Sequence, residues 1–66
     1  MSIPHRPDEA EVEIAVLRTY RERARIARNG SQEQYDATQK AALVAARLRT
    51  EFGYDEARIE REVTAA

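Results

Sequence analysis

Two glycines punctuate this chain, and each is followed within two residues by a side chain suited to start a helix: Gly30 by Ser31, and Gly53 by Asp55. Glycine takes up the left-handed conformation that closes a helix, while Ser and Asp accept hydrogen bonds from the unpartnered N–H groups of a first turn. Ser31 with Gln34, and Asp8 with Glu11 behind Pro7, also have the three-residue spacing of a capping box. The punctuation predicts a leader over 1–7 and helices over about 8–29, 32–52 and 55–64, with Gly30 ending the first helix and Gly53 the second. A connection as short as the one around Gly30 folds two helices back on each other. The expected fold is therefore a single all-α domain over 1–66: an antiparallel helical hairpin plus a short third helix.

Composition agrees and sets a limit. Only two Gly and two Pro accompany a charged fraction of 35%, which favours helix nearly throughout. A chain of this length buries only about 60% of its unfolded surface. The sequence has no Cys and one His, so disulfides and thiolate zinc sites are excluded as staples, and oligomerisation is the remaining common way to complete a core. The leader lacks the apolar centre of a secretory signal, and no apolar run approaches the roughly 20 residues of a membrane span. A cytoplasmic location and no membrane contact are expected.

The apolar pattern places surface in excess. At about 100° per residue, Val12, Val16, Tyr20, Ala24 and Ala27 form one stripe on helix 1 with Leu17 at its edge, the expected core side, while Ile14 and Ile26 fall off it. On helix 2, Ala37, Ala41, Val44, Ala45, Leu48 and Phe52 face the hairpin. Tyr35, Ala42, Leu43 and Ala46 lie largely across from them, and the small alanines permit close helix approach on that second side. Ile59 and Val63 of helix 3 cover only part of it. The second face is the expected protein interface, with Ile14, Tyr54, Ile59 and Val63 as contributors, and the partner is a second copy or a larger protein.

Arg18, Arg21, Arg25 and Arg28 fall on one side of helix 1, a pattern suited to phosphate or carboxylate oxygens. Other readings of the stripe are structural: the arginines complement the helix macrodipole opposite Asp8, Glu9, Glu11 and Glu13, Glu22 pairs with Arg18 or Arg25, and the acidic third helix supplies further partners. A net charge of −1 provides no global attraction to nucleic acid. A helix-turn-helix reading makes the third helix the recognition element, yet Asp55, Glu56, Glu60 and Glu62 outnumber Arg58 and Arg61 there, and phosphates would repel it.

The chemical inventory is thin. His5 sits in the leader, Ser2 precedes it, Ser31 is a helix cap, and the three tyrosines read as amphipathic packing residues. No Glu-x-x-His pair of the kind that builds carboxylate metal sites occurs. No enzyme and no cofactor are expected. The leading expectation is a non-enzymatic interaction module, a small regulatory, inhibitory or accessory subunit. The alternative is a nucleic-acid-binding regulator or antitoxin-like protein that uses the arginine stripe.

Overall fold

The structure, a computed structural model, describes residues 7–65, with side chains from residue 9 onward. The Asp8 cap, Ser2 and His5 lie outside the described side chains. Three helices form: α1 (Pro7–Ile26), α2 (Gln32–Glu51) and α3 (Glu56–Thr64). No strand occurs among the described residues. The first two run antiparallel, which brings Arg47 to 3.1 Å from Glu13 at one level and Lys40 to 5.8 Å from the Tyr20 ring at another. The third crosses one side of this hairpin and leans mainly on α1.

Capping sets the starts of α2 and α3. Ser31 is extended at φ −76°, ψ 160°, and its Oγ accepts from the Gln34 N–H at 3.1 Å. Asp55 is extended likewise, and its Oδ1 accepts from the Arg58 N–H at 2.7 Å. Gly53, at φ +71°, reverses the chain after α2 so that the Leu48 carbonyl accepts from both Phe52 and Tyr54.

The end of α1 differs from the sequence expectation. The helix stops at Ile26 instead of reaching residue 29, and Gly30, at φ +78°, belongs to a tight turn in which the Ser31 N–H reaches the Arg28 carbonyl at 3.0 Å. Gln34 is the cause. Its Nε2 donates to the Ala24 carbonyl at 3.2 Å, the acceptor that a continuing helix would offer to the Arg28 N–H, and also to Asn29 Oδ1. Its Oε1 accepts from the Gly30 N–H at 2.9 Å. One amide thus ties the start of α2 to the end of α1.

The core is a cluster of Ile14, Leu17, Leu48, Ile59 and Val63, with Ala41, Val44, Ala45, Phe52 and Tyr54 packed against it. Leu17 and Leu48 are wholly enclosed. On α2 these are the residues the pattern assigns to the hairpin. On α1 the assignment rotates: Ile14 is buried, Leu17 moves from edge to centre, and Val12, expected in the core, is 60% exposed. Ile14 stands about 160° round the helix from Val16, on the side where α3 docks. A helix with apolar residues on two arcs buries the one its neighbours cover, and here α3 chooses it.

The molecule is elongated. Its principal extents are 43 × 26 × 17 Å and its radius of gyration is 12.8 Å, against roughly 11 Å for a compact chain of this length. The nine residues of α3 span roughly 14 Å, whereas the twenty of α1 or α2 span roughly 30 Å. The third helix is too short to cover even one side of the hairpin and leaves the other bare.

Candidate protein-interaction surface

That bare side of the hairpin carries apolar residues of α1 and α2. Val12 and Leu43 are 60% and 70% exposed, and Val16, Tyr20 and Val44 are half-buried. Two shallow grooves meet at Val16 and Tyr20. One, of about 330 Å³, runs along α1 past Val12, Ala15, Thr19 and Arg23. The other, of about 380 Å³, lies between the helices and is lined by Glu13, Lys40, Leu43, Val44 and Arg47. A third hollow of about 530 Å³ continues from Tyr20 toward the α1–α2 connection, past Ile26 and Ala27.

Charged groups frame this surface. Arg23 and Lys40 lie 5.9 and 5.8 Å from the centroid of the Tyr20 ring, each a distance at which a cation is attracted to an aromatic face. Arg47 bridges Glu13 and Glu51, at 3.1 and 3.2 Å. The Thr19 hydroxyl donates to the Ala15 carbonyl at 3.0 Å, so its proton is already engaged within the helix. An apolar strip with a charged rim has the anatomy of a protein contact.

The interface residues expected from sequence separate into three groups. Tyr35 (61% exposed), Ala42 and Leu43 are solvent-facing, and Ala46 is half-buried. Tyr35, Ala42 and Ala46 occupy the outer back of α2, whereas Leu43, about 80° round from Tyr35, turns into the groove with Val16 and Val44. Ile14, Ile59 and Val63 are 7%, 1% and 8% exposed and belong to the chain's own core, which withdraws them from any external contact. Tyr54 is half-buried against that core, meets Phe52 edge-on at 6.5 Å, and has the Arg58 guanidinium 3.9 Å from its ring centroid. Sequence periodicity counted Val12, Val16 and Tyr20 as core and so missed them as surface. The signal was present in the length of the third helix, too short to cover a hairpin on both sides.

The arginine stripe is largely engaged inside the molecule. Arg18 reaches across to the end of α3, where its Nε donates to the Val63 carbonyl at 3.0 Å and its Nη2 to the carbonyls of Glu62 and Ala65 at 2.9 and 3.2 Å. Arg21 grips Glu60 with two parallel hydrogen bonds of 2.9 and 2.6 Å. Arg21's hydrogen bonds, reinforced by its charge, hold the Glu60 carboxyl below its usual range, and Glu60 in turn raises Arg21 against the effect of burial. Arg25 pairs with Glu22 one turn earlier, and that hydrogen bond lowers the Glu22 carboxyl. Arg28 lies beyond the end of α1 and has no ion-pair partner among the described residues.

Among the described residues no group of His, Cys, Asp or Glu is arranged to hold a metal ion, and no helix is long and apolar enough to cross a membrane. No protein-family model matches the chain, and no curated protein or solved structure is significantly similar to it.

Proposed function

We propose that this protein is a non-enzymatic helical interaction module, a small regulatory, inhibitory or accessory subunit that binds another protein surface through the open side of the α1–α2 hairpin. One observation carries the reading: the strip formed by Val12, Val16, Tyr20, Leu43 and Val44 is left uncovered by α3. Burying an apolar side chain of this size is worth about 1.5–3 kcal/mol, so a complementary surface has ample driving force. The thin catalytic inventory of the sequence supports a binding role over a chemical one, and a cytoplasmic setting fits a chain without cysteine.

The test is affinity capture from the native host with matched variants. Leu43→Glu puts a carboxylate into the groove and should abolish capture of the specific partner, whereas Arg61→Glu, on the exposed side of α3, should preserve it. Equal capture by both variants would remove the open hairpin side as the binding surface.

No observation favours nucleic-acid binding. Three of the four stripe arginines hold carbonyls or carboxylates of the same chain, and recruiting Arg18 and Arg21 to phosphate would cost the contacts that hold α3. Counterion release makes any such affinity strongest at low salt. Unchanged DNA and RNA migration at low ionic strength is therefore expected.

A further inference from the structure

We propose that the surface covered in this way meets a second copy of the same chain, α1 against α1 in antiparallel orientation with a two-fold axis passing beside Val16. The inference rests on the open-side reading above and adds the identity of the occupant. Its basis is the arrangement of residues about Val16. At about 100° per residue, Glu9, Val12, Tyr20 and Arg23 all lie within about 40° of Val16 around the helix. Along the helix they are placed symmetrically, with Val12 and Tyr20 four residues to either side and Glu9 and Arg23 seven residues to either side.

A two-fold axis at Val16 exchanges these positions. It sets Val16 against Val16 of the second copy, Val12 against Tyr20, and Glu9 against Arg23, each of the last two pairs occurring twice. Spacing by seven is the heptad period that keeps one helix seam on its partner, and an isologous contact requires this kind of self-complementarity. A parallel pairing instead stacks Arg23 on Arg23 and Glu9 on Glu9. The charge sequence of α1, acidic at its start and basic at its end, thus selects the antiparallel dimer. Arg23 has no carboxylate partner among the described residues, its contact being the Tyr20 ring.

Shape and net charge permit the association. Ala15 and Thr19 line the groove beside Val16, and such short side chains allow helix axes to approach toward the lower end of the usual 8 to 10 Å range. The molecule extends 43 × 26 × 17 Å, and a standard interface buries roughly 800 Å² on each partner. With a net charge of −1 per chain, two copies repel little.

The full chain should sediment as a dimer at micromolar concentration. Val16→Glu, which places two carboxylates together at the axis, should weaken association at least tenfold while far-UV circular dichroism stays helical. Arg23→Glu should weaken it as well, and adding Glu9→Arg to that variant should restore it. Because the chain has no cysteine of its own, Val16→Cys should oxidise to a covalent dimer far faster than Glu56→Cys, which is remote from the axis. A wild-type monomer overturns the proposal, and so does a dimer that survives Val16→Glu or gains nothing from the double charge exchange. A monomer that still captures a host protein in a Leu43-dependent way overturns the second copy alone and leaves the proposed binding surface standing. A monomer whose captures ignore Leu43→Glu overturns both.

Discussion

The Arg21–Glu60 pair joins α1 to α3 by a two-bonded fork of 2.9 and 2.6 Å. Its carboxyl is held below the ordinary range first by Arg21's hydrogen bonds and then by its charge. A carboxyl lowered by folding contributes stability that is fully present above its unfolded pKa and is lost as the pH falls through the lower folded value. The attachment of α3 should therefore loosen on the acidic side of the normal glutamate range and be unaffected at neutral pH. Both side chains are open to water, so solvent screening keeps the contribution small. Carboxyl NMR should find Glu60 titrating below an ordinary glutamate in the wild type and returning to the ordinary value in Arg21→Gln; an unchanged Glu60 titration in that variant would dissociate the shift from Arg21. The sequence made this pair readable only as one of several partners for the stripe. Which glutamate meets which arginine depends on the level at which α3 docks.

At the scale of elements, α3 illustrates how little of a short helix is secured by its own sequence. Asp55 caps its start, as its position after Gly53 predicts, but nine residues are too few for an isolated helix to persist. Its end is held by Arg18, which supplies a cation and two donor groups to carbonyls that lack partners in the final turn. Replacing Arg18 by Gln removes the charge and most of this geometry. Amide exchange in α3 should accelerate about tenfold, the equivalent of about 1.4 kcal/mol for a charge-assisted bond at the surface, while amides at the centre of α1 and α2 change far less. Unaltered protection would mean that water serves those carbonyls equally well. The spacing of Arg18 placed it in a stripe suited either to external anions or to partners within the molecule, whereas its use as a cap was illegible because the acceptors are main-chain atoms more than forty residues away. The cap on the end of α1 was illegible for the same reason: Gln34 was readable as half of a capping box, but its reach back to Ala24 is a contact of the closed hairpin.

At the scale of the whole molecule, a small core and a broad uncovered side follow from the same geometry. Leu17 is fully enclosed where all three helices meet, whereas Val12, five residues earlier on the same helix, is largely exposed. Leu17→Ala should cost about 2–5 kcal/mol, a large share of the roughly 3–10 kcal/mol available to a domain of this length. Val12→Ala should stay within about 0.5 kcal/mol in the dissociated monomer. Urea unfolding at low protein concentration separates them, and equal losses would return Val12 to the core. The sequence by itself determined that three helical segments occur, the caps at Ser31 and Asp55 and the hairpin-facing side of α2, because these depend on neighbours within about four residues or on one unambiguous apolar arc. Only the tertiary structure decided which arc of α1 is buried. Val12–Val16–Tyr20 and Ile14–Leu17 are comparable in periodicity, and the choice belongs to α3, which docks where Arg18 and Arg21 can hold its carbonyls and Glu60.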